Sequence, residues 1–525
     1  MARIIAPRKA LRSPPKIPNK RIPCMQAWLS ELIPILLLLA VVTIVLVRLP
    51  KVKEVEHSDA FRRRRVLNWL PLGLAYSFLY MGRYNLTVSK SVFERITNAS
   101  GQQLMTSADF ATIFGVGTIV YGCAFLLNGP LTDRFGGRKA ILVAAGGTAF
   151  ANTAMAVTTW IVCYHGPGAI PVGNNFLPLF TALYAINMYF QSFGAVAIVK
   201  VNAPWFHVRE RGVFGAIFGI LISLGLYFAY DWSGKILSFF GQDPKLVGAQ
   251  ARLPWVFAAP ACLLVVLLVL VMVFVRNTPG ESGHRDFDPG DVSSGDDQPR
   301  MGAFQVFGMM LRNPIILTIA AVEFCSGFLR QAIMQWYQTF ARHTNDALGN
   351  KDAFVSQNWG LLLCIAGILG GMFAGVISDR IFQSRRGPVA SILYGGMLAG
   401  AIILLFTYKT PAVGWIVIVM SLFVIGVHGM LSGTASMDFG GKKNVGIVVG
   451  LIDGCVYAGT AVMALTYGLL LPKEQLNEAG KIVGPSTDPS NWIAWPAAMI
   501  PFAIVGLALA TRLWNVKPKP KQKAA

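Results

Sequence analysis

The sequence predicts an all-α membrane protein, two bundles of six spanning helices preceded by one extra hydrophobic helix, and three observations predict it. Hydrophobic residues make up 54% of the 525 and charged residues only 14%, with a mean hydropathy of +0.54, against roughly 25% charged in ordinary soluble domains. Apolar stretches of about 20 residues, enough to cross a ~30 Å hydrocarbon core, recur along the whole chain. Positive charge is concentrated in short loops beside those stretches.

The first stretch, 30–48, follows a basic extension carrying Arg3, Arg8, Lys9, Arg12, Lys16, Lys20 and Arg21. If it spanned, those charges would lie outside, against the usual bias of Lys and Arg toward the cytoplasm. It is expected either to lie in the membrane interface or to belong to a chain whose translation begins at Met25. No small-residue cleavage site follows LLLLAVVTIVLV, which argues against a removed signal peptide. A first group of six spans is read at 66–92, 108–128, 140–163, 176–203, 213–232 and 254–275. The stretch RNTPGESGHRDFDPGDVSSGDDQPR (276–300) has no apolar periodicity and is rich in Gly, Asp, Ser and Pro, so it reads as a solvated linker. A second six follows at 314–340, 355–378, 389–408, 413–436, 446–471 and 491–513. The domains are therefore an extension (1–58), an N-terminal bundle (59–275), a cytoplasmic linker (276–313), a C-terminal bundle (314–513) and a basic tail (514–525).

A net charge of +21 could point to nucleic acid, but the positive residues sit in FRRRR (61–65), DRFGGRK (133–139), VRERG (208–212), DRIFQSRRG (379–387), GGKK (440–443) and the tail. Such clusters beside spans mark the cytoplasmic face. They place the C-terminus in the cytoplasm and the protein in the inner or plasma membrane, with the lipid bilayer and no nucleic acid as its surroundings, as a monomer. The seven cysteines are odd in number and scattered, with neither a disulfide framework nor metal-ligand spacing. No GxxxxGK[ST] loop and no catalytic constellation occurs, so no nucleotide hydrolysis, metal, cofactor or enzymatic activity is expected.

The two groups of spans repeat one another. GPLTDR (129–134) is echoed by GVISDR (375–380), placing Asp379 opposite Asp133, and Arg330 falls 247 residues beyond Arg83, itself embedded in the apolar YMGRYNL. Each arginine lies about ten or eleven residues from the outer end of its span, roughly 15 Å deep at 1.5 Å per residue. A charge at the centre of a span costs roughly 2.5–3.5 kcal/mol even on lenient scales, so it is normally paired or functional. Transporter sites lie near the midplane where repeats meet. A guanidinium presents a planar fork of donors that matches phosphate or carboxylate, so a symmetric pair reads as an anion clamp. The alternative is that each arginine pairs with a carboxylate across helices.

Other side chains could join the site. Tyr76, Tyr80 and Arg83 are four and three residues apart and share a helix face, and Asn85 and Trp336 could add polar and stacking contacts. His428, the one histidine read inside a span, could contact the anion, carry a proton or simply pack. Glu323 and Asp453 are the acids deepest in spans and are coupling candidates, with structural pairing as the plain alternative. Lys200 is expected to snorkel to the interface. In GPLTDRFGGRK, Gly129 and Gly136 permit close approach and a tight turn. Asp133, Arg134 and Arg138, with Asp379, Arg380 and Arg386 in the repeat, could form weak charge pairs that latch the cytoplasmic side.

With these residues in view, the chain resembles the major facilitator superfamily through its twelve spans in two repeats and GPLTDRFGGRK. More narrowly it is similar to the organophosphate:phosphate antiporter family, in YSFLYMGRYN (76–85), FQSFG (190–194), WFHVRERG (205–212), RNTPGESG (276–283), FLRQAIMQW (328–336), GVISDRIFQSRRG (375–387) and DFGGKKNVG (438–446). The resemblance covers about 60–513. It implies a major facilitator fold, a clamp of substrate phosphate by Arg83 and Arg330, and exchange of a small anionic substrate for inorganic phosphate by alternating access. The glycerol-3-phosphate branch has a lysine where Phe125 aligns, a histidine at Ile222 and a WPP run at 195–197, and the family pattern has a small or neutral residue at Asp453. Proton-coupled transport of another organic anion or drug-like solute, and sensing of a sugar phosphate without transport, are the two other functions in play.

Overall fold

The chain is described by a computed structural model over residues 35, 36, 39, 55, 56, 58–97, 103–169, 176–239, 252–291, 303–349, 353–383, 385–473, 475–477 and 482–516. It divides into Met1–Ile44 and Val45–Ala525, and everything below belongs to the second unit. Most of the expected helix 30–48 and of the basic tail lies outside the described residues.

Helices dominate. Those of sixteen residues or more are, in chain order, α1 Asp59–Phe93, α2 Ser107–Phe135, α3 Gly137–His165, α4 Phe176–Asn202, α5 Arg211–Tyr227, α6 Leu253–Phe274, α7 Pro314–His343, α8 Trp359–Val376, α9 Arg386–Thr407, α10 Val413–His428, α11 Ser436–Leu470 and α12 Ala494–Arg512. Among the described residues ten stretches are long and apolar enough to cross a membrane, judged by length and composition. Helix α1 is not one of them, since it carries FRRRR, Arg83 and Lys90; Val413–Leu470 counts once, although Gly441 (φ 59°, ψ 174°) breaks it.

The ends are set by local chemistry. Ser58 caps α1 by accepting from the Phe61 amide at 3.1 Å, and Thr106 with Asp109 forms a reciprocal capping box on α2. Asn313 accepts from Ile315 and Ile316 ahead of Pro314, which needs no amide partner at the start of α7. Gly136 (φ 88°) ends α2 and opens α3 in a left-handed backbone that a Cβ would strain. Three helices continue through π turns, α5 into Phe228–Trp232, α8 into Ile377–Ile381 and α10 into Gly429–Ala435.

The first six helices pack mainly on one another, as do the last six; α2 against α11 and α5 against α8 are the principal crossings between the groups. Small residues let these crossings close: a Cβ on Gly129 would lie 2.5 Å from the Gly446 carbonyl oxygen. Outward faces are apolar, with Leu469 84% and Phe406 78% exposed, an arrangement that hydrocarbon tolerates and water does not.

Two expectations need correction. FRRRR is no loop: α1 begins at Asp59, and Arg65 turns inward to a bidentate pair with Glu210 (3.1 and 2.7 Å) and to the Trp205 carbonyl. Burial there requires pairing, because a lone guanidinium would be left desolvated. The stretch read as a solvated linker is docked over 276–291: the Arg276 amide donates to Asn68 Oδ1 at 2.6 Å and the Val208 amide to the Pro289 carbonyl at 2.8 Å. Residues Ala303–Leu311 form a further short helix.

Candidate functional site

Arg83 and Arg330 are each 2% exposed, Arg83 in the C-terminal third of α1 and Arg330 near the middle of α7. Arg83 stands ten residues before the end of α1 and Arg330 thirteen before the end of α7, roughly 15 and 20 Å at 1.5 Å per residue. Among the described residues neither guanidinium has a carboxylate within 4.0 Å. The pairing alternative therefore does not account for them.

Their surroundings differ. Arg83 Nε donates to Gln191 Oε1 at 2.9 Å, Nη2 to the Tyr121 hydroxyl at 2.5 Å and Nη1 to the Tyr457 hydroxyl. Its guanidinium carbon lies 4.8 Å from the Tyr80 ring centre and 4.3 Å from that of Tyr121, a cation–π arrangement favoured in a desolvated site. Tyr76 and Tyr80 meet at 5.4 Å, so the shared face read from their spacing is present. Phe125 packs edge-on to Tyr121 at 4.6 Å and closes this aromatic group. The backbone behind Arg83 is tied down by Asn187, which donates to the Gly82 carbonyl at 2.9 Å, and by the Tyr184 hydroxyl on the Arg83 carbonyl at 3.2 Å.

Arg330 is different: its Nε and Nη2 have no hydrogen-bond partner among the described residues. An unsatisfied buried donor is costly, most of all on a charged group. Titratable residues gather nearby. Glu323 Oε2 meets His428 Nδ1 at 2.9 Å, while Glu323 Oε1 has no partner among the described residues. Asp453 accepts from Ser432 Oγ at 2.5 Å, within the π turn that follows His428. Glu323, His428 and Asp453 all lie within electrostatic reach of Arg330.

Two residues named from sequence stand apart. Asn85 follows Arg83 by two positions, about 200° round the helix, and its amide donates to Asn152 Oδ1 at 2.8 Å inside the first group of helices. Trp336 follows Arg330 by six, about 120° round, and lies edge-on to Tyr467 at 5.8 Å. Sequence reading missed Gln191, Tyr121 and Tyr457; the buried polar Gln191 in FQSFG was a usable signal, whereas Tyr457 reaches Arg83 from 374 residues away.

Both ends of the interface between the groups are tied. At one end Thr87 donates to Gln335 at 3.3 Å, Gln331 to the Tyr84 hydroxyl at 2.8 Å, and Glu94 meets Arg342 at 3.7 Å. At the other, Asp133 accepts from Lys200 and from the amides of Gly446 (3.1 Å) and Ile447 (2.9 Å), which open the second limb of α11. A carboxylate on free helix amides is a favourable pairing. Lys200 therefore does not snorkel. Arg138 donates to the Met272 carbonyl at 2.5 Å rather than to a carboxylate, and its amide to Asn277; Arg134 and Arg380 are exposed. The Asp379 side chain lies outside the described residues. Arg386 does pair, with Asp438 at 3.2 Å. Asp438 also meets Arg211 at 3.4 Å, and Arg211 meets Asp291 at 2.7 Å, all buried. The latch at this end is a buried network, not the weak exposed pairs expected.

Among the described residues six cysteines are free and no group of His, Cys, Asp or Glu could hold a metal.

The Major Facilitator Superfamily model matches residues 72–464. Over 89% of its length the chain is 23% identical to the glycerol-3-phosphate transporter of Bacillus subtilis (strain 168), covering 96% of that protein. It is 20% identical, over 90% of its length and 97% of the relative, to a probable hexose phosphate transport protein of Chlamydia pneumoniae. It is 22% identical to the membrane sensor protein UhpC of Escherichia coli (strain K12), over 78% and 86% of the two chains.

Proposed function

The chain belongs to the Major Facilitator Superfamily, is no enzyme, resembles the organophosphate:phosphate antiporters within that family, and from that premise we propose that it carries a small organic phosphate across the membrane in exchange for inorganic phosphate. One observation carries this reading: two guanidiniums buried within long helices, one from each group, with no carboxylate on either among the described residues. A phosphate would meet the donors of both guanidiniums without a metal. Arg83 presents Nη1 and Nη2 to neutral hydroxyls, and Nε and Nη2 of Arg330 have no hydrogen-bond partner among the described residues, so an arriving phosphate displaces phenols and no carboxylate. Tyr76 and Tyr80 wall the organic portion, and His428 faces the phosphate side through Arg330.

Counting α1 and both limbs of Val413–Leu470, the body has twelve spans in two bundles, 59–275 and 314–513, joined by 276–313. The Asp133 end is cytoplasmic, with the C-terminus, in a monomer of the inner or plasma membrane. Rocking of the bundles breaks one set of ties at a time: Asp133 to the Gly446 and Ile447 amides, Lys200 to the Lys442 and Lys443 carbonyls and Arg211–Asp438 on the inner side, Tyr84–Gln331 and Glu94–Arg342 on the outer. The gate residues Gly129, Asp133, Gly136, Arg138 and Arg386 act at the inner end, with Arg134, Asp379 and Arg380 beside them.

The test is counterflow in liposomes containing purified full-length protein, with labelled phosphate outside and a panel of phosphorylated three- and six-carbon compounds inside. Accumulation driven by at least one organic phosphate is expected. Absence of counterflow with every compound, inorganic phosphate included, would overturn the transport reading; saturable phosphate binding in that case would favour a sensor.

A further inference from the structure

We propose that Glu323, His428 and Asp453 form a proton-binding site beside the anion clamp, so that each anion loaded onto Arg330 is accompanied by a proton. The proposal rests on the transport reading and deepens it by naming the coupled ion. Three titratable side chains from three helices converge here, Glu323 from α7, His428 from α10 and Asp453 from α11, exposed by 0, 4 and 2%. Glu323 Oε2 and His428 Nδ1 are 2.9 Å apart, a separation that one shared hydrogen holds, and a further proton can be taken up at Glu323 Oε1 or His428 Nε2 without breaking that bond. Glu323 Oε1 makes no hydrogen bond within 3.5 Å among the described residues and has the Ser326 hydroxyl beside it, an acceptor position that protonation would turn into a donor.

Charge balance gives the site its purpose. With both carboxylates ionised, they offset the two arginines, and an incoming dianion then enters a buried region with no net positive charge. Burying uncompensated charge is expensive; one proton on the cluster restores part of the balance. That proton comes from water on the side where the anion loads and leaves with the anion on the other. Within electrostatic reach of the cluster are Arg330 and Cys325 on α7, Tyr394 on α9, Cys455 and Tyr457 on α11, and Tyr76, Arg83 and Tyr121 from the first group of helices. Only the two arginines among these add fixed charge.

The backbone supplies a second, independent observation. Helix α10 leaves regular geometry at His428, and the π turn Gly429–Ala435 carries Ser432, the donor to Asp453. A π segment inside a helix is an irregularity that recurs at functional sites. A shift in this turn would change the His428 and Ser432 contacts together, linking proton occupancy to helix movement.

The experiment measures affinity for inorganic phosphate, on purified full-length protein in detergent, at pH 6 and pH 8.5. Wild type is compared with Glu323→Gln and, in case that variant fails to fold, Asp453→Asn, each amide standing for a protonated acid. Phosphate's own ionisation acts equally on all three proteins, so the ratio between proteins at each pH isolates the protein's proton. Agreement within about threefold at pH 6 is expected, with the amide variants binding about tenfold tighter than wild type at pH 8.5. In liposomes an acid-outside gradient should accelerate phosphate uptake by wild type and not by Glu323→Gln. Parallel affinities at both pH values, or equal acceleration of both proteins, would overturn the proton site while leaving phosphate transport standing. No phosphate binding by wild type at either pH would overturn the transport reading and this proposal with it.

Discussion

The two halves hold matching arginines in opposite company. Around Arg83 the hydrogen-bond partners are an amide and two phenols, backed by Asn187 and Asn152. Around Arg330 stand Glu323, His428 and Asp453, and two guanidinium nitrogens have no partner among the described residues. The repeat offset makes the contrast local: Glu323 lies 247 residues beyond Tyr76, the same offset that relates Arg330 to Arg83. A phenol in one half stands where the other half has a carboxylate. Duplicated architecture thus yields one prong whose charge environment is fixed and one whose environment can titrate.

The largest expected effect removes a prong. Arg330→Ala should lower phosphate exchange about a thousandfold, since truncating a buried charge that binds an opposite charge costs about 2–5 kcal/mol; Arg83→Ala should do nearly as much, and initial exchange rates in liposomes measure both. Next is the network tying the halves together. Asp438→Asn leaves Arg211 and Arg386 facing across a neutral amide, and should lower stability by about 3–5 kcal/mol, read as a fall in thermal midpoint in detergent. Smaller, and sharper for the comparison, is Gln191→Ala: losing one 2.9 Å bond to Arg83 should weaken phosphate affinity up to about tenfold with the pH profile unchanged. A profile that moves with Gln191 would erase the distinction between the halves. The least effect is expected at Arg342, the more exposed partner of Glu94, which also pairs with Lys90 at 3.5 Å: Arg342→Gln should shift the thermal midpoint by the equivalent of less than about 1 kcal/mol.

Much of this was legible in the chain. Spans read from hydropathy match the helices within a few residues for most elements, because a bilayer-length apolar run leaves little choice of structure. The arginine pair was legible too, since internal repetition exposes a charge that composition alone treats as an accident. Helix geometry should have removed Asn85 and Trp336, which sit 200° and 120° away from their arginines. What sequence could not supply was partnership across helices. Tyr457 reaches Arg83, Glu323 meets His428, and Asp291, from a stretch that reads as solvent-exposed, is buried against Arg211. Each pairing joins residues separated by 80 to 374 positions, and no local spacing encodes them.

The central claim is that one phosphate is held by both halves at once. Titration of inorganic phosphate into wild type, Arg83→Ala and Arg330→Ala, by calorimetry at pH 6 on full-length protein, tests it most directly. Each single variant should lose at least about a hundredfold in affinity, because either remaining guanidinium alone supplies only half of the charge-assisted hydrogen bonds to the phosphate. Binding by either variant within about threefold of wild type would contradict the account.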